Sequence, residues 1–143
     1  MKFMLIVKAN PESETGAMPT EEMLTAMGKF NEELLKAGVL LDLSGLHPSS
    51  KGARVKYRGG KRSVVDGPFA EAKELIAGFW LIQAKSRDEA IEWAKRAPMD
   101  VGLPADQEVE VEIRQLFELD EFGESPAVSA ARELGKELER SKH

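Results

Sequence analysis

The sequence contains no cysteine, one tyrosine and only two histidines, His47 and His143, among its 143 residues. The absence of cysteine excludes disulfides, thiolate nucleophiles, cysteine-ligated zinc sites and iron–sulfur clusters. Two histidines, one of them the last residue of the sequence, do not make a metal cage within one subunit. We therefore expect neither a metal site nor a cofactor.

An excess of positive charge and long apolar runs are also missing. The chain has 20 lysines and arginines against 25 aspartates and glutamates, a formal net charge of −5, which argues against a nucleic-acid-binding protein. No stretch approaches the roughly 18 apolar residues of a membrane-spanning helix, and the run Phe3–Val7 is too short for the core of a signal peptide. We expect a single-domain cytoplasmic protein with no membrane or nucleic-acid partner.

The hydrophobic pattern predicts alternating strands and helices. Met23, Met27, Phe30 and Leu34 follow one another at helical spacing after Thr20, a residue suited to cap a helix, and Gly38 ends the run. The sequence predicts strands at 2–8, 39–46, 54–57, 61–65, 78–85 and 108–114, helices at 20–37 and from Ser86 to Pro98, a loop at 10–19, and one or two helical turns at 69–76.

Without the Gly59-Gly60 hairpin, these elements follow the order βαββαβ, which predicts an α+β, ferredoxin-like antiparallel sheet. Helices would cover one face of this sheet only. The apolar strands suggest that a second subunit covers the other face, so we expect a homodimer of the dimeric α+β barrel type. We place this domain at 1–117, and a C-terminal extension at 118–143 with an amphipathic helix over 125–141.

Asp66, in the segment Asp66-Gly67-Pro68-Phe69, is the first candidate site residue. Its carboxylate could accept backbone N–H groups and shape a turn, or it could stand at a pocket mouth as a ligand anchor or an acid–base group. Lys73 could pair with Asp66 or with a substrate anion, although a solvated charged surface is the simpler interpretation.

Other polar candidates lie in the neighbouring loops. His47, in a turn before Pro48, would form an acid–base pair with Asp66 if the two met in space, but a lone loop histidine is more often a surface residue. Ser49 is a weak nucleophile candidate without a base beside it, and Tyr57 could offer its hydroxyl to a pocket.

The predicted hairpin carries five positive charges within nine residues. An acidic ligand, an acidic protein surface or a nucleic-acid backbone could use them. The simpler interpretation is a solvated hairpin on which lysine and arginine prevent strand pairing with other chains. The residues are Arg54, Lys56, Arg58, Lys61 and Arg62.

The segment 66–74, DGPFAEAKE, resembles the signature of the YCII-related, or DGPF-domain, family. The start MKFMLIV, the segments GLHPS, GFWLI and EWA, and the ending VEVEIRQL agree with it, so the resemblance covers residues 1–117. It implies a ferredoxin-like fold and a dimer but no settled activity. The YCII branch has a proposed His–Asp pair at the start of the first helix and before a proline after the second. This chain has Pro19-Thr20-Glu21-Glu22 and Ala97-Pro98 there, so that pair is not carried over.

Two functions remain open at this stage. The first is a dimeric domain that binds a small molecule, with or without catalysing a reaction, in a pocket between the sheet and the Asp66 loop. Asp66 would be its base or anchor, and His47, Ser49, Tyr57 and Lys73 its polar groups. The second is a non-catalytic regulatory partner, because members of the DGPF branch are associated with extracytoplasmic-function sigma factors. A cofactor-free, monooxygenase-like activity rests on fold analogy alone.

Overall fold

The computed structural model of the chain describes residues 1–142. Six strands and four α-helices follow one another along it. The strands are β1 (Lys2–Lys8), β2 (Leu40–Gly45), β3 (Ala53–Arg58), β4 (Lys61–Asp66), β5 (Ile76–Gln83) and β6 (Val111–Gln115). The helices are α1 (Pro11–Glu14), α2 (Glu21–Lys36), α3 (Arg87–Arg96) and α4 (Pro126–Ser141).

Four strands form one antiparallel sheet in the order β2-β5-β1-β6. Once the β3–β4 hairpin is set aside as an insertion, this is the ferredoxin-like order that the sequence predicted. The predicted hairpin is present as a separate two-stranded sheet, and β6 lies at the edge of the main sheet.

The hydrophobic core lies between α2, α3 and one face of the main sheet. Because side chains alternate along a strand, every second residue of the two central strands points to this face. The core contains Phe3 and Leu5 of β1, Trp80 and Ile82 of β5, Phe30 and Leu34 of α2, and Ala90 of α3.

The ends of the long helices follow their capping residues. Thr20 accepts a hydrogen bond from the Met23 amide at 3.1 Å, and Ser86 accepts one from the Glu89 amide at 3.1 Å. Gly38, which follows α2, has a φ of +73°, a conformation that glycine adopts without strain. The predicted helices at 20–37 and 86–98 are therefore confirmed to within two residues at each end.

The prediction of an uninterrupted loop at 10–19 is wrong, because α1 occupies four of these residues. The Asn10 side chain accepts from the Ser13 amide at 2.8 Å, and the Asn10 amide donates to the Ser13 hydroxyl at 3.0 Å. This reciprocal cap, with Pro11 in the first turn, forms a helix too short to show a periodic apolar stripe.

Smaller differences concern other boundaries. The last strand of the sheet begins at Val111 rather than at residue 108, and the segment 69–76 has only a 3₁₀ turn at Ala72–Glu74 before β5. The final helix, α4, is within one residue of its prediction. None of the helices within residues 1–142 combines the length and apolar composition needed to cross a membrane.

Two adjacent leucines of α2 test this account of the core. Leu34 is fully buried, whereas Leu35 is 66% exposed. We expect Leu34→Ala to lower the free energy of unfolding by about 2–5 kcal/mol because it leaves a cavity. Leu35→Ala should change it by less than about 0.5 kcal/mol. Urea denaturation followed by circular dichroism measures both, and similar losses in the two variants would contradict this placement of α2.

Candidate functional site

A cavity of about 630 Å³ lies between α2 and the main sheet. Its walls come from the first half of α2 and from the neighbouring ends of β1, β5 and β2. Parts of the segments 10–20 and 99–104, together with Val109, complete the lining. The fold thus places two connecting segments, the one between β1 and α2 and the one after α3, beside the same cavity.

The lining of this cavity is mainly apolar. Trp80 and Val7 contribute from the sheet, and both also belong to or pack against the core. Four of the six methionines of the chain line the cavity, namely Met18, Met23, Met27 and Met99. Methionine side chains are flexible and polarizable, so they adapt their shape to an apolar or aromatic ligand.

Asn31 is a polar group with a fixed orientation in this lining. The Trp80 indole Nε1 donates to the Asn31 side-chain oxygen at 2.7 Å. Because the indole N–H can only donate, it sets which end of the amide faces the tryptophan. The Asn31 Nδ2 group has no acceptor among residues 1–142, so it remains as a donor for a ligand.

The rest of the polar lining comes from α1, the start of α2 and the end of β1. It comprises the ammonium of Lys8, the carboxylates of Glu12 and Glu22, and the side chains of Asn10, Ser13 and Thr20. Thr20 lies at the start of α2, and no histidine is among the residues that line the cavity. Within residues 1–142, no three acidic or histidine side chains come together as a metal site.

None of the five site residues predicted from the sequence lines this cavity. His47, Tyr57, Asp66 and Lys73 are exposed, and Ser49 is half-buried. In the described part of the chain, His47 and Asp66 form no ion pair with each other, and no N–H group donates to the Asp66 carboxylate. The cavity therefore lies apart from the predicted pocket beside Asp66, and the roles given to the five residues remain predictions.

Ser49 instead joins the Asp66–Phe69 loop to α1. Its amide donates to the Glu14 carboxylate at 3.0 Å, and its hydroxyl donates to the other oxygen of that carboxylate. The Ser49 hydroxyl also accepts from the Phe69 amide at 3.0 Å. One carboxylate on α1 thus holds two later loops together. Sequence reasoning missed Glu14 because 35 residues separate it from Ser49.

Gly67 allows these loops to approach each other closely. A Cβ atom on this residue would lie 1.7 Å from the carbonyl oxygen of Ser49. The Gly67 amide also donates to the Gly52 carbonyl at 3.0 Å, and the Arg54 guanidinium lies 3.7 Å from the centroid of the Phe69 ring. The loop geometry therefore depends on Gly67, Ser49 and Phe69 rather than on the Asp66 carboxylate.

We expect Gly67→Ala to destabilise the fold by about 1–3 kcal/mol, because the added methyl group must displace backbone. Gly45→Ala is the matched control, since a Cβ atom at Gly45 meets no atom within 4 Å. Thermal or urea unfolding of the two variants measures the difference. Equal stability would mean that the loops do not pack as closely in solution as they do here.

Comparison with known proteins places the chain in a family. It is 36% identical over 89 residues to an uncharacterized protein of Rhizobium meliloti, spanning 60% of this chain and 72% of that protein. It is also similar to the structure of 5-chloro-2-hydroxyhydroquinone dehydrochlorinase (TftG) from Burkholderia phenoliruptrix AC1100 in complex with 2,5-dihydroxybenzoquinone. The two chains are 16% identical in sequence and superpose with a TM-score of 0.45. The comparison covers 82% of this chain and 94% of that one. The family model of the YCII-related domain matches residues 1–114, and this chain belongs to that family.

Proposed function

We propose that this protein binds a small organic molecule in the cavity between α2 and the main sheet. The observation that carries the proposal is the cavity itself. Its volume of about 630 Å³ falls within the roughly 300–1,000 Å³ of small-molecule sites, and its mainly apolar lining with few polar groups is typical of them.

The lining favours a neutral, largely aromatic ligand. Trp80 and the methionines offer flat and polarizable surface. The Asn31 Nδ2 group would donate to a carbonyl, phenol or ether oxygen, while its own oxygen stays with Trp80. Two carboxylates and one ammonium line the cavity, so the local charge disfavours an anionic ligand.

An enzymatic role for Asp66 is a finer hypothesis within this proposal. The Asp66 carboxylate is exposed and forms no ion pair with the described residues, so it is accessible to a substrate as an anchor or base. It does not line the cavity, however. Its use would require the substrate to contact the Asp66–Phe69 loop, where His47, Ser49, Tyr57 and Lys73 would supply further polar groups.

A regulatory role through a protein partner is the second candidate. One observation favours it: Leu134 and Leu138, one turn apart on α4, are both exposed. An apolar stripe of this kind is stabilised when another surface covers it. This helix lies beyond the residues that match the family, so such a partner need not be shared by other members.

A thermal-shift screen with neutral aromatic ketones and phenols tests the cavity. A ligand at 100 times its Kd adds about 2.7 kcal/mol of stability, which raises the Tm by several degrees. Gly28 lies in α2 at the cavity, and Gly135 lies in α4 away from it; an added Cβ meets no atom within 4 Å at either. We expect Gly28→Phe to abolish the shift and Gly135→Phe to preserve it.

Asp66→Ala, screened in parallel, separates the two possible ligand sites. A shift that survives Gly28→Phe but disappears in Asp66→Ala would overturn the cavity proposal and place the ligand at the Asp66–Phe69 loop. If a ligand is found, turnover by Asp66→Asn tests the base hypothesis, since the amide cannot accept the proton. The absence of any shift from the whole panel would favour the regulatory role.

A further inference from the structure

A second apolar space lies beside the cavity, between α3 and β6, and we name it the α3 groove. Its volume is about 350 Å³. The lining includes Ile91 and Ala94 of α3, and Val111 and Ile113 of β6. The groove therefore offers apolar surface directly next to the proposed ligand site.

The cavity and the α3 groove share one wall. Met99, Leu103 and Val109 line both spaces, and all three residues are half-buried. None of their side chains carries an N–H or O–H group, and the methionine changes its conformation readily. The wall between the two spaces is therefore made of apolar side chains that a ligand can pass without breaking a side-chain hydrogen bond.

The segment that carries this wall, residues 98–109, is held mainly by its own turns. The Leu103 amide donates to the Asp100 carbonyl at 3.1 Å. The Gln107 amide donates to the Pro104 carbonyl at 3.0 Å. Within residues 1–142, no hydrogen bond or ion pair joins this segment to the main sheet or to α2. A segment without such anchors is displaced at a low cost in free energy, so the shared wall can yield to a ligand.

The interior of the α3 groove suits an alkyl chain. Its charged lining residues, Lys95 and Asp100, are both exposed, and the Lys95 ammonium pairs with Glu92 at 3.1 Å. The half-buried residues of the lining are all apolar. A polar group among them would lose water without gaining a side-chain partner, whereas methylene groups are stabilised by leaving water.

We propose that the ligand of this protein is an aromatic molecule with an alkyl chain, whose ring occupies the cavity and whose chain occupies the α3 groove. This inference rests on the proposed function, because it places the ring in the same cavity. Asn31, the donor for a ligand oxygen, lines the cavity and not the groove, so it holds the polar end of the molecule there. The chain then passes Met99 and Leu103 into the groove.

Three phenyl ketones that differ only in chain length test this inference by isothermal titration calorimetry: acetophenone, butyrophenone and hexanophenone. In the wild type we expect the Kd to fall about fourfold for each added methylene group, because each one leaves water. Ala94→Phe fills the groove alone, since Ala94 does not line the cavity. This variant should bind acetophenone as the wild type does, and hexanophenone more than about tenfold more weakly than the wild type.

Ala130→Phe is the matched control, because Ala130 is an exposed residue of α4 that lines neither space. It should keep the chain-length dependence of the wild type. The same dependence in Ala94→Phe would overturn the inference and leave the groove to another occupant, such as an apolar side chain of a protein partner. If Ala94→Phe does not fold, Ala97→Phe decides instead, since Ala97 also lines the groove and not the cavity.

Two further outcomes separate this inference from the proposed function. Hexanophenone binding that survives Gly28→Phe would overturn the inference, because the ring would then lie outside the cavity. Acetophenone binding that Gly28→Phe abolishes, with no effect of Ala94→Phe on hexanophenone, would overturn the role of the groove and leave the cavity proposal intact. A wild type that binds none of the three ketones would contradict both.

Discussion

The attachment of α2 to Trp80 is the interaction on which the rest of this structure depends. The Phe30 ring meets the indole edge to face with centroids 5.1 Å apart, and the next residue, Asn31, accepts the indole N–H at 2.7 Å. Apolar packing fixes the distance of the helix from the sheet, and the hydrogen bond fixes its rotation. The first half of α2 then borders the cavity rather than closing over it.

Much of the fold could be predicted from the sequence because its signals are local. The spacing of Met23, Met27, Phe30 and Leu34 identifies the inward face of α2, on which Phe30 and Leu34 are buried and the two methionines are half-buried. Ser86, which accepts a hydrogen bond from the Glu89 amide, marks the start of α3. The alternation of Val111 and Ile113 with charged residues likewise marks the last strand of the sheet. In each case the residues that determine the element are neighbours in the chain.

The cavity could not be predicted in the same way. Met23 and Met27 have the spacing of ordinary core residues. No feature of the neighbouring sequence distinguishes a methionine that borders a cavity from one that is fully packed in the core. Asn31 is a single polar residue within a helix, and its partner Trp80 is 49 residues away. Only the assembled sheet brings these side chains together, so the sequence directed attention to the more distinctive Asp66 segment.

The short helix α1 connects the two regions that the sequence and the structure single out. Asn10, Glu12 and Ser13 line the cavity, while Glu14 holds Ser49 and, through it, the amide of Phe69. The Asp66–Phe69 loop begins where the β3–β4 hairpin ends, so the base of this hairpin and one wall of the cavity share a helix of four residues. One reciprocal cap between Asn10 and Ser13 closes this helix, and Glu14 follows directly. The same turn of backbone therefore positions two polar groups of the cavity wall and the carboxylate that holds Ser49 at the base of the β3–β4 hairpin.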